Sequence, residues 1–204
     1  MNEEISSIEI LKEFAENTNR KGEFYETLYP ANTIPRYNHY LRKVYIPNNE
    51  EKLSYYVAFQ DSKSFGDHAV FSGIFIKLEI PKSVNIIVHK KDIIDKINPF
   101  KGNNVHKTGF NNFDSKILIK GNDQYIIKNI FFDTKIQELT IQSLGLKEGL
   151  MIALNEFNIE FIPEFKEKSS IGLVWTRQWI LDTALIEKMF KTIENIQVEI
   201  NKTL

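Results

Sequence analysis

Apolar positions near the N-terminus recur at helical spacing. Ile5, Ile8, Leu11, Phe14 and Ala15 fall on one face, which predicts a short amphipathic helix within residues 3–18. Ser6 with Glu9 has the spacing of a capping box and would start that helix a turn later. Residues 20–29 read as a second helical piece carried by Phe24, Leu28 and Tyr29, stopped by Pro30. The period then changes. Tyr37–Ile46 and Leu53–Gln60 are rich in tyrosine, valine and phenylalanine, and Pro47-Asn48-Asn49-Glu50 between them is a turn signal. The two predict a hairpin. Asp61–His68 is a polar turn, Val70–Ile80 the clearest strand, and Val84–His89 the next strand after Pro81.

Lys90–Ile97 has room for one helical turn or two. Asn98–Asn112, with its glycines and asparagines, reads as a long irregular loop. Lys116–Lys120 is a strand and Gly121-Asn122-Asp123 a turn. Tyr125–Phe132 suits either a strand or the opening of a helix. Thr134 with Gln137 predicts a capped helix over Lys135–Leu144, closed by Gly145. Leu150–Leu154 and Ile159–Ile162 read as a second hairpin around Asn155–Asn158, and residues 163–174 as a polar connection. Arg177 to about Ile200 reads as one long helix, with a stripe of Trp179, Ile186, Met189, Phe190, Ile193, Ile196 and Ile200.

Connections this short favour an antiparallel sheet. The expected architecture is α+β. It has a largely antiparallel sheet, an N-terminal helical segment, a middle helix and a long C-terminal helix packed on one face. One domain over residues 1–204 is expected, with 1–35 as a helical extension and 36–204 as the α+β body.

Composition narrows the chemistry. The 204-residue chain carries a formal charge of -1 and no cysteine. Disulfides, thiolate metal sites and cysteine nucleophiles are excluded. The only arginines are Arg20, Arg36, Arg42 and Arg177. A near-neutral chain so poor in arginine argues against a nucleic-acid partner. No apolar run approaches the ~18–20 residues of a spanning helix, and the acidic start (Glu3, Glu4) is unlike a signal peptide. A cytoplasmic location is the direct expectation.

No nucleotide-binding glycine motif and no Gly-x-Ser-x-Gly elbow occurs, so no cofactor is expected. His39, His68, His89 and His106 show no chelating spacing, so no metal is expected either. Asp92 and Asp95 read as a solvated face, and Glu156, Glu160, Glu164 and Glu167 give their segment an acidic character. Two clusters stand out. Trp175-Thr176-Arg177-Gln178-Trp179 holds both tryptophans and one arginine. A helix start that packs its aromatics is the simpler reading; a binding surface of Trp175, Arg177 and Trp179 is the functional one. The tyrosines Tyr25, Tyr29, Tyr37, Tyr40, Tyr45, Tyr55 and Tyr56 suit a half-buried sheet or a binding surface. Phe71 and Phe75 read as core aromatics flanking Gly73, a glycine that admits either the approach of another chain segment or a bulge.

Phe71–Lys82, Asn85–Lys91, Asn111–Leu139 and Leu150–Phe165, in that order, resemble the bacterial family known as domain of unknown function 3137. Phe71, Gly73 and Phe75 match its Phe-x-Gly-x-Phe strand. Phe113, Asn122 and Asp123 match a second element, in which Ile117 replaces the usual aromatic. The resemblance covers roughly residues 70–200. It implies a fold and no catalytic residues, and some relatives carry membrane helices that this chain lacks.

The expected function is a non-enzymatic protein-interaction or ligand-binding domain. One alternative is a hydrolase-like enzyme whose site is dispersed over the loops, with His68 and His106 converging. A second is a peripheral membrane accessory role, suggested by the relatives alone.

Overall fold

The structure is a computed structural model that describes residues 6–29, 39–49, 51, 53–66, 68–91 and 104–203. Helix α1 (Ser7–Asn17) begins on the expected capping box: the Ser6 side chain accepts from Glu9 N, and Glu9 accepts from Ser6 N. Leu11, Phe14 and Ala15 are its buried stripe. Residues 23–29 are not helical. They form strand β1 (Glu23–Tyr29), paired along its length with β2 (His39–Pro47). Spacing alone misleads here, because Phe24 and Leu28 fall on one face of a strand as readily as on one face of a helix.

β2, β3 (Ser54–Asp61) and β4 (Val70–Lys77) continue as an antiparallel meander. β5 (Ile86–Lys90) follows in sequence but not in space. β8 (Met151–Leu154) and β9 (Ser170–Trp175) stand between β4 and β5, and β7 (Ile117–Gly121) and β6 (Val105–His106) complete the far side. The nine strands run in the order β1-β2-β3-β4-β9-β8-β5-β7-β6, every pair antiparallel. This is the expected α+β sheet.

The helices gather on one face. The short α2 (Asn111–Asp114) precedes β7; α3 (Gln124–Phe131) and α4 (Thr134–Leu144) follow it. Tyr125–Phe132 therefore resolves as helix. The cap of α4 is Asp133, whose carboxylate accepts from Ile136 N at 2.9 Å, rather than Thr134. α5 (Thr183–Thr203) lies over β3, β4 and β9. Its buried stripe is Ile186, Met189, Phe190, Ile193, Ile196 and Ile200, as the periodicity predicts. The long helix starts six residues later than expected, with the Asp182 carboxylate accepting from Leu185 N at 3.0 Å.

Arg20 ties these pieces together. It donates to Asn48 O at 2.7 Å and to Asn48 Oδ1 at 2.8 Å, and pairs with Glu187 of α5. Its guanidinium also lies over the Phe14 and Phe190 rings, 5.2 and 5.0 Å from their centroids.

The opposite face is covered in its middle by residues 155–169. The expected hairpin over 150–162 is absent: β8 pairs instead with β9, inside the expected polar connection. Between the two strands the chain leaves the sheet and crosses it. Phe157, Ile159, Ile162 and Phe165 bury against Tyr55, Val57, Phe71 and Phe75. Covered on both faces, β9 is buried at every position, so its sequence shows no alternation. Gly73 is required where a Cβ would strike Leu173 O of β9, the close approach that its sequence context admits.

Candidate functional site

The described part of the open face holds a concave site bordered by the 155–169 segment, whose Phe161 ring lies beside Lys43 and Tyr45 of β2. Alternation along the strands sends Leu41 and Lys43 of β2, Phe59 and Asp61 of β3, and Phe71 of β4 to this side. The β3–β4 turn adds Ser64, Phe65 and His68, and the crossing segment adds Glu156, Asn158, Glu160 and Phe161. Together they line an open groove of about 790 Å³.

The crossing segment is set by Asn155, which has φ 53° and turns the chain off β8. Its side-chain amide donates to Val84 O at 2.8 Å and Pro81 O at 3.2 Å, while its Oδ1 accepts from Ser170 N at 2.9 Å. Asparagine tolerates this left-handed backbone better than other side chains that are not glycine. The anchor leaves Glu156 and Phe157 directly beside His68.

The groove floor is aromatic. Phe59 and Phe71 stack with ring centroids 5.3 Å apart, Phe161 lies 6.1 Å from Phe59, and Phe157 lies 4.7 Å from Phe71. At one rim, Phe65 is 94% exposed, an unusual state for a phenylalanine. The walls are charged. His68 Nε2 is 3.5 Å from Glu156 Oε1, and its ring lies 5.2 Å from that of Phe157. Glu160 pairs with Lys82, whose ammonium holds the Glu160 carboxyl below the usual carboxylate range. Asp61 accepts from Lys63 N and Ser64 Oγ, both at 2.9 Å. Lys43 Nζ sits 5.3 Å from the centre of the Phe161 ring. Three carboxylates thus meet one lysine in the lining, and Lys82 answers one of the three.

The two tryptophans are elsewhere and are buried. Trp175 ends β9, and Trp179 lies in the connection to α5, so they are not one helical turn apart. Trp179 is 6% exposed and donates from Nε1 to Phe59 O at 3.1 Å. Trp175 is 7% exposed and has Lys147 Nζ over its ring, 3.9 Å from the centroid. Of Trp175, Arg177 and Trp179, only Arg177 is exposed.

Tyr55 and Tyr56 are core residues, Tyr45 is half-buried under Tyr25, and Tyr25 is exposed. Tyr37 lies outside the described residues, as do the 92–97 helical stretch and the 98–103 part of the expected loop. The convergence of His68 and His106 that the hydrolase alternative called for does not occur. His106 belongs to β6, five strand positions beyond β4, a separation on the order of 20 Å at about 4.8 Å per strand. His106 Nε2 instead lies 3.0 Å from Gly121 O. Among the described residues, no group of three histidine or carboxylate side chains is placed to hold a metal ion. Among the same residues, no helix is long and apolar enough to cross a membrane.

Sequence reading missed Glu156, Phe157 and Phe161 because Phe157, Ile159 and Phe161 alternate like a strand. The polar Asn155 at the end of an apolar run was the available signal. Comparison with protein-family models, with curated proteins and with solved structures gives no match.

Proposed function

We propose that this chain is a non-enzymatic binding domain whose groove receives an apolar ligand group carrying a positive charge. The observation that carries the reading is the groove itself. A floor of Phe59, Phe71 and Phe161 is bordered by Glu156, a carboxylate whose ion-pair partner among the described residues is His68. Aromatic faces attract cations and bury apolar surface together, and a nearby carboxylate adds to both effects. The resemblance to domain of unknown function 3137 brings no chemistry of its own, so the reading rests on this geometry.

The test uses phenethylamine as the probe, followed by heteronuclear NMR on the intact chain. Saturable shifts confined to Phe59, His68, Phe71, Glu156 and Phe161 support the proposal. Shifts absent, or centred on another surface, overturn it.

One observation favours a second reading, a hydrolase. His68 and Glu156 lie together in a groove that Ser64 also lines. Ser64 Oγ, however, donates to Asp61. Equal turnover of p-nitrophenyl acetate by the wild type and by His68→Ala removes this reading.

A further inference from the structure

The helix side of the sheet carries a second surface, built on α3 and the short α2. The buried stripe of α3 is Ile126, Ile127, Ile130 and Phe131. At about 100° per residue these four take the side that faces the core, and Tyr125, Lys128 and Phe132 fall on the opposite side. The outer side of a surface helix is ordinarily polar. Here Tyr125 is 72% exposed, and Phe132, which caps the C-terminus of α3, is 38% exposed. Phe110 caps the N-terminus of α2 and is 45% exposed. Its ring stands edge-on to that of Phe132, with centroids 6.5 Å apart. The three rings therefore border one face about 10 Å long, from position 125 to position 132.

Charge around these rings is arranged by sign. Lys107, Lys116, Lys128 and Lys135 are all exposed. The aspartates of the same stretch are half-buried and turned to backbone amides. Asp114 accepts from Thr108 N at 3.0 Å and from Gly109 N at 2.8 Å. Asp123 accepts from Ile126 N at 3.0 Å, and Asp133 from Ile136 N. Asp123 and Asp133 thus spend their charge on the N-termini of α3 and α4. Glu138 is exposed and lies 4.0 Å from Lys135. Among the described residues Lys107, Lys116 and Lys128 have no ion-pair partner.

Exposed rings among outward lysines suit the boundary of an anionic bilayer. The rings enter the headgroup layer, while each lysine lays its stem along apolar surface and keeps its ammonium at the lipid phosphates. The size of the face points the same way. Three rings on one short helix offer far less than the ~800 Å² a side that a specific protein interface buries. A fluid bilayer accepts single inserted side chains and needs no such area. We propose that Phe110, Tyr125 and Phe132, with Lys107 and Lys128, form a docking face for an anionic lipid bilayer. The proposal is independent of the groove, which opens on the other face.

Flotation of the intact chain with vesicles tests it. The expected result is co-migration with phosphatidylcholine vesicles that contain phosphatidylglycerol, roughly tenfold weaker on phosphatidylcholine alone and falling as salt is added. Lys128→Glu is expected to weaken binding roughly tenfold and Tyr125→Ala roughly fivefold. Both side chains are exposed, so both variants keep the fold, which circular dichroism checks. Lys168→Glu makes the same change in net charge on the segment that covers the opposite face, and binding should stay within about twofold. No co-migration of the wild type overturns the proposal. So does equal weakening by Lys168→Glu and Lys128→Glu, which would assign the attraction to net charge, or full binding by Tyr125→Ala. A dimer seen by light scattering that Tyr125→Ala dissociates also overturns it, because a second copy then covers the face.

Discussion

The side-chain amide of Asn155 donates to the backbone carbonyl of Val84 at 2.8 Å. This contact joins the crossing segment to the connection that carries the chain from β4 to β5. The same amide reaches Pro81 O, and its carbonyl oxygen takes Ser170 N. Asn155→Ala removes all three bonds and places an alanine at φ 53°. A loss of roughly 2–4 kcal/mol is expected, measured by urea unfolding. The replacement should also loosen Glu156 and Phe157 beside His68. A midpoint equal to that of the wild type would show that the segment holds its place without this anchor.

Arg20 and Arg42 allow a controlled comparison. Arg20 is 11% exposed at its side chain and joins the β2–β3 turn to α5, whereas the Arg42–Glu26 pair is on the surface, 28% and 39% exposed. Arg20→Ala leaves Asn48 O and Glu187 without their donor and is expected to cost roughly 2–3 kcal/mol. Arg42→Ala should cost less than about 1 kcal/mol. Thermal unfolding of the two variants, side by side, checks the ranking.

The sheet carries an alkaline limit. Burial pushes the Tyr45 hydroxyl up to about 12 and also raises those of Tyr55 and Tyr56. Tyr56 further donates to Ile180 O at 2.8 Å. In the unfolded chain each would titrate near 10. The folded form therefore holds these protons more tightly. Its advantage is complete below about pH 10 and is lost as the pH rises toward and past 12. Tyrosinate absorbance and circular dichroism followed together should show these groups ionising only as the sheet unfolds. Full tyrosine ionisation near pH 10 with the sheet intact would contradict the burial assigned to them.

Local rules were legible wherever one short segment decided the outcome. The Ser6–Glu9 cap, the α5 stripe and the β2–β3 hairpin all depend on residues close in sequence, and all appear. The helix boundaries at Asp133 and Asp182 were misplaced locally, but the larger misreadings share one cause, which is long-range pairing. β1 is a strand because β2 lies beside it, although Phe24 and Leu28 have helical spacing. β9 hides its alternation because residues 155–169 cover the face that would otherwise be polar. Trp175 and Trp179 are separated by the end of a strand, and no spacing between them could show that. The groove was the least legible feature. Its residues come from β2, β3, β4, one turn and the crossing segment, and only the tertiary fold brings Glu156 to His68.

The most direct measurement is calorimetric titration of the intact chain with phenethylamine and, separately, with 3-phenylpropionate, its anionic counterpart. The groove reading predicts saturable binding of the amine at about 1 mM, as expected for a ligand of this size, with at least tenfold weaker binding of the acid. It also predicts loss of that preference in Glu156→Gln. No binding of either probe, or equal binding of both, would contradict it.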